Sequence, residues 1–174
     1  AEKGLEVLLF TDPVDEVWLE QMPPDYREKK FQSVGRGEID LGSKDEKEGE
    51  ESDQETEAYK DLIQCMGNAL QEEVKEVRLS NRLKQSPSCL VVDEGDLSPQ
   101  LEAMLRQAGQ EVPDRKPILE VNPDHAILKS LQAIFEADGT DARLSEYAEL
   151  LFGQAVLAGG GQLTDPGTFT RKLS

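Results

Sequence analysis

Apolar residues near the C-terminal end are too numerous for one face of a helix. A helix is expected from about Leu144 to Ala158, where Leu150, Leu151, Phe152, Val156 and Leu157 spread over more than half the cylinder at ~100° per residue. A helix lying on its own domain needs only one apolar stripe. Gly159, Gly160 and Gly161 end this helix, and Thr164-Asp165-Pro166 starts another with a capping side chain, an acid and a proline in the first turn. The pair reads as a helical hairpin with one side uncovered. A second copy of the same hairpin covers that side most economically, in a two-fold four-helix arrangement.

Upstream the spacing changes several times. Leu5 to Phe10 is almost continuously apolar, which predicts a strand covered on both faces, and Val14, Val17, Trp18 and Met22 recur at helical spacing. One strand and one short helix cannot cover each other, so residues 1–40 are expected to end a larger domain. Residues 41–57 hold no large apolar side chain and a heavy acidic excess, which predicts a flexible linker. Tyr59, Leu62, Ile63, Met66, Leu70 and Val74 then follow the 3.6-residue period of an amphipathic helix. Short runs at 77–79, 89–92 and 118–121 read as strands. Between the second and third, Ser98 is placed to cap a helix with Pro99 in its first turn; Leu97, Leu101, Met104, Leu105 and Ala108 form its stripe, and Gly109 ends it. That stripe either packs on the sheet or stays exposed for binding. Asn122-Pro123-Asp124 starts a further helix, with Ala126, Ile127, Leu131, Ile134 and Phe135 on its buried face. The expected fold class is α+β: a small sheet with amphipathic helices and a C-terminal helical bundle forming a four-helix dimer seam.

Composition narrows the partners. A net charge of −17 over 174 residues argues against nucleic acid and against anionic membranes, because phosphate binding draws on a basic surface. No run approaches the ~18 apolar residues of a membrane span, and the N-terminus lacks a signal-peptide layout, so a soluble, cytoplasmic chain is expected. Cys65 and Cys89 lie in apolar surroundings and read as small core residues of a reducing compartment.

Catalytic chemistry has little to stand on. His125 is the one histidine, and a nucleophile built from Cys89 with His125 conflicts with a thiol in an apolar strand, where its pKa rises. One histidine and two dispersed cysteines do not make a zinc site. Phosphate-binding loops are missing too, since the glycine triplet at 159–161 follows a helix rather than a strand.

Particular strings go further than periodicity. EVLLFTDPVDE (6–16), FQSV (31–34), VRLSNRLKQSPSCLV (77–91), LEVNPDHAILKSL (119–131) and ELLFGQAVLAGGGQLTDPGTF (149–169) resemble, in order, the heat-shock protein 90 chaperone family. The resemblance spans nearly the whole chain apart from the acidic stretch. It is nearest to the bacterial type, since the linker is short and no Met-Glu-Glu-Val-Asp tail is present.

The resemblance implies that residues 1–40 end the middle domain and that 58–174 are the C-terminal dimerisation domain of an ATP-dependent chaperone that assists folding and the stress response. By matching position it gives Leu144, Leu150, Leu151, Ala155, Leu157 and Phe169 as the homodimer seam. It moves Leu97, Leu101, Met104 and Leu105 toward contact with unfolded or partly folded client proteins. Bacterial relatives often carry an aromatic directly after Asp-Glu in the first helix as part of a client surface. Here Val17 follows and Trp18 comes one later, a rotation of ~100°, so Trp18 stands between that surface and the core. The last helix, from about Asp165 to Ser174, is shorter than in relatives. On the same grounds the chain is expected to be no enzyme and to hold no cofactor or metal, with ATP and magnesium assigned to a missing N-terminal domain. The alternative is a pure oligomerisation scaffold without client contact.

Overall fold

The computed structural model describes residues 7–10, 12–23, 25–26, 29–31, 33–36, 46–93, 96–97, 99–112 and 115–173. Its centre is a three-stranded sheet of β3 (Glu76–Leu79), β4 (Ser88–Val91) and β5 (Ile118–Val121), with β5 in the middle, parallel to β3 and antiparallel to β4. All four residues of β5 are buried, as befits a strand paired on both edges and covered on both faces. The sheet register sets its two faces apart. Val77, Leu119 and Leu90 lie in one cross-strand row, as do Leu79, Val121 and Ser88, whereas Arg78, Glu120 and Cys89 form a row of the opposite face.

Helices cover the first face. Helix α2 (Glu46–Ala69) lies against β3, α5 (Ala142–Ala158) lies against β4, and both touch α4 (Ala126–Ala137) as well as each other's flank. Their shared core holds Leu62, Met66, Leu70, Val74, Val77, Leu119, Val121, Leu128, Leu131, Leu144, Ala148, Leu151 and Ala155. Leu70 and Val74 belong to it from the turns after α2, whose helix stops at Ala69. Val91, Ile118 and Leu101 are buried outside that cluster. The opposite face of the sheet is therefore covered too.

Local chemistry accounts for the helix ends. Asp141 caps α5 by accepting from the Arg143 amide, and Gly160 at φ 77° supplies the left-handed residue after it. Helix α6 (Pro166–Lys172) is capped by Asp165, which accepts from the Thr168 amide at 2.9 Å; the expected start at Thr164 falls one residue early. His125 caps α4 with its ring Nδ1, which accepts from the Ile127 amide at 3.2 Å. Asn122 forms the turn before that cap, its Oδ1 accepting from the Asp124 amide at 3.0 Å, and also ties the loop before β4 by donating to the Ser86 carbonyl at 3.2 Å.

Two expectations about the N-terminal third change. Val7, Leu8, Leu9 and Phe10 are exposed and form no strand, since no neighbouring strand among the described residues accepts their backbone; Leu5 and Glu6 lie outside the described residues. The stretch read as an acidic linker is helical from Glu46 onward, continuous with α2. Its glutamates and lysines are good helix formers, and α2 extends them from a nucleus already fixed by core packing. The first part of that expected linker, 41–45, lies outside the described residues, as does Ser98. Before α2 come α1 (Pro13–Gln21), capped by Asp12 in a capping box with Asp15, and a two-residue hairpin of β1 (Asp25–Tyr26) with β2 (Lys29–Lys30).

Candidate functional site

The expected interaction residues fall into two regions. The first is the contact between α1 and α3 (Pro99–Gln107). Here Val14 and Trp18, four residues apart and so on one face of α1, are 59% and 54% exposed, and Met104 on α3 is exposed as well. Trp18 is thus a surface residue and not a core one. Leu97 and Leu105 are half-buried. Leu101 departs from its expected role as a client contact: at 2% exposure it is inside the protein. The amphipathic stripe of α3 is split, its Leu101 edge packed inward and its Met104 edge facing solvent.

The second region is the α5–α6 hairpin. Helix α5 buries Leu144, Ala148, Leu151 and Ala155, spaced i, i+4, i+7 and i+11, in the core of its own chain. Leu144, Leu151 and Ala155 are therefore corrected as seam residues, because their side chains are already covered within one chain. Leu150 and Leu157 lie roughly 130–150° around the helix from the middle of that row; Leu150 is half-buried and Leu157 is 49% exposed. Tyr147, which sequence reasoning missed, extends their row by one turn and is exposed. Its i, i+3 and i+10 spacing to Leu150 and Leu157 was the signal.

Phe169 of α6 docks on the same helix. A methyl group at Gly153 would lie 2.7 Å from two carbons of the Phe169 ring, so the bare backbone of Gly153 is what lets the ring approach. Lys172 pairs with Glu149 across the hairpin. The hairpin is also tied to the sheet, since the buried Ser88 hydroxyl donates to the Leu151 carbonyl at 2.8 Å.

The far face of the sheet holds a buried ionic network that the sequence reading did not foresee. Glu120, in the middle of β5 and 4% exposed at its side chain, accepts from Arg78 Nη2 at 2.8 Å, from Arg82 Nε at 2.7 Å, and from the Ser80 hydroxyl at 3.0 Å. Arg82 Nη2 also donates to it. Burial alone raises the carboxyl's pKa, but the hydrogen bonds and charges of Arg82 and Arg78 outweigh it and hold Glu120 below the ordinary glutamate value. Beside it, the Cys89 thiol is pushed up to about 11, first by burial and then by the Glu120 charge. A thiol so protonated is a poor nucleophile. Among the described residues no group of three or more His, Cys, Asp or Glu is placed to hold a metal ion, and no helix is long and apolar enough to cross a membrane.

Comparison with known proteins identifies the lineage. The family described as Hsp90 protein matches residues 1–174. The chain is 47% identical over 174 residues to the chaperone protein HtpG of Frankia casuarinae, covering 99% of this chain and 27% of that protein. It is 46% identical over 180 residues to HtpG of Nocardia farcinica, with 99% and 28% covered, and 45% identical over 173 residues to HtpG of Paraburkholderia xenovorans, with 99% and 26% covered. The chain spans about a quarter of the length of the curated relatives it matches. Two expectations are corrected by these matches: that the chain is no enzyme, and that it holds no cofactor. Both rested on placing ATP and magnesium in a part of the molecule outside this one. The whole chain matches the chaperone family, so neither exclusion stands.

Two outcomes follow from the geometry. Because the folded pKa of Glu120 is depressed, its contribution to stability is full above its unfolded value near 4.5 and is lost as pH falls through the lower folded value. Urea unfolding from pH 7 to 3 is expected to show this loss in the parent and a flatter profile in Glu120→Gln, at a lower starting stability. Gly153→Ala is expected to lower stability by about 1–3 kcal/mol, the clash with Phe169 outweighing the helix preference of alanine. Gly67→Ala in α2, where a methyl meets nothing within 4 Å, is expected to raise it by about 0.5–1 kcal/mol. Thermal unfolding of the pair checks both signs.

Proposed function

The chain belongs to the Hsp90 protein family, and from that premise we propose that it is a homodimerisation and client-contact module of a cytoplasmic molecular chaperone. In this reading residues 1–40 are the end of the middle domain and 58–174 the C-terminal dimerisation domain. The observation that carries it is the second row of α5. Leu150 and Leu157, with Tyr147, are large apolar or aromatic groups left open beside α6, on a helix whose other face is already spent on its own core. No residue of α6 is buried in the single chain. A second α5–α6 hairpin, related by a two-fold axis, covers both at once and makes the four-helix seam.

Client contact is assigned to the solvent side of the α1–α3 region, through Val14, Trp18 and Met104. A flexible thioether and an indole on one surface suit adaptable contact with exposed apolar segments of partly folded proteins. The burial of Leu101 favours a second reading, in which α3 only packs and the chain is an oligomerisation scaffold.

Light scattering behind a sizing column, over a wide range of protein concentration, tests the seam. The expected mass is twice the 19.3 kDa of one chain, falling to one chain in Leu150→Ser/Leu157→Ser with the circular dichroism unchanged. A monomer at every concentration sinks the dimer. For the client surface, binding of an apolar-surface dye is expected to drop in Trp18→Ser/Met104→Ser without loss of fold. Equal dye binding by parent and variant leaves the scaffold reading in its place.

A further inference from the structure

The stretch 33–36 meets the sheet through its backbone. Val34 is 62% exposed. The Val92 amide, just past β4, donates to the Gly35 carbonyl at 3.1 Å, and Arg36 forms an isolated parallel bridge with Val92. A further attachment comes from the sheet's buried network. Arg82 Nη1 donates to the Val34 carbonyl at 2.6 Å while its Nε and Nη2 hold Glu120.

We propose that Arg82 is a clamp that docks residues 33–36 onto the sheet, and that Glu120 is the anchor that aims it. A guanidinium is suited to this because it is planar and offers five donors in a fixed fork, so one edge binds a carboxylate while another nitrogen reaches out to a carbonyl. Its side chain is only 8% exposed and that of Glu120 4%, which limits water at the carboxylate end of the fork. The Ser80 hydroxyl fixes the turn that presents it, accepting from the Arg82 and Leu83 amides at 3.3 and 3.2 Å while donating to Glu120. Arg78 on the strand neutralises the same carboxylate, so Glu120 remains paired when Arg82 is altered. Arg82 thereby links the Val34 carbonyl to the central strand β5 through Glu120. This clamp stands whether or not the α5–α6 hairpin forms a dimer seam.

Arg82→Lys tests it, because lysine keeps a positive charge near Glu120 but cannot reach both partners with a fixed fork. Amide hydrogen exchange on the full chain is expected to be about tenfold faster at Val92, whose partner is the Gly35 carbonyl. The Ser80 and Asn122 amides, bonded to the Val121 and Pro87 carbonyls, are expected to keep the parent rate. Unchanged protection at Val92, or equal loss at all three amides, overturns the clamp, the second result marking Arg82 as a general structural residue. A measurement on the unaltered chain serves even where the variant does not fold. The Arg82 guanidinium protons are expected to give resolved, slowly exchanging NMR signals, with a cross-bond coupling to the Val34 carbonyl. A freely rotating guanidinium overturns the proposal as well.

Discussion

Placing an ionised carboxylate in the middle of a central strand is costly unless its charge and lone pairs are met, and Glu120 has both needs met from two arginines and a serine. The rest of the sheet is arranged around that requirement. Arg78 sits directly across β3 from Glu120, and Cys89 directly across β4, so one face carries the polar row while the other is apolar apart from Ser88, whose hydroxyl is bonded to α5. The cost of breaking such a network exceeds what the network contributes, because removal of one partner leaves a buried charge behind. It therefore specifies register more than it adds stability. A slip of β5 by one residue would put Glu120 against the helices and Leu119 against the arginines.

On the apolar face, α5 joins two demands in one helix. Its inner row completes the core with α2 and α4, and its outer row stays beside α6. The helix is apolar over more than one face for that reason, and the division is sharp: Leu151 and Ala155 are inside, and Leu157, two residues past Ala155, is half in solvent. Any partner that covers the outer row therefore meets a helix already locked in place by the sheet, through its core side chains and through the Ser88 hydroxyl. A preorganised surface of that kind loses little conformational freedom on association.

Much of the secondary structure was legible because it is punctuated. β5 occupies 118–121, the same residues as the apolar run, and Gly109 and Gly159 lie where α3 and α5 give out. What was not legible depended on neighbours remote in sequence. Val7 to Phe10 needed an edge to pair with before they could form a strand, and apolar composition alone does not supply one. Glutamate-rich 46–57 reads as solvated chain until it is attached to a helix already nucleated by Leu62 and Met66. The choice of face on α5 needed the position of β4, and matching strings could not say which of Leu150 and Leu151 points in. The Glu120 network did leave a trace: a lone acid inside ILEV, and two arginines four apart in VRLSNR, are unusual in strand runs that otherwise read as buried.

Helix α6 depends on its contacts with α5. Seven residues give a helix of about 10 Å, far below the length at which a helix holds itself together in water. Among the described residues its attachments include the Asp165 cap, the Lys172–Glu149 pair and the Phe169 ring on Gly153. The ion pair is half in solvent and counts for little, and the cap fixes only the first turn. Phe169 against Gly153 is thus the contact that orients α6, and it is itself only partly covered. Burial of that ring and of Leu150 and Leu157 by a second hairpin would stabilise α6 and the seam together, so that order in the last helix and association become one equilibrium.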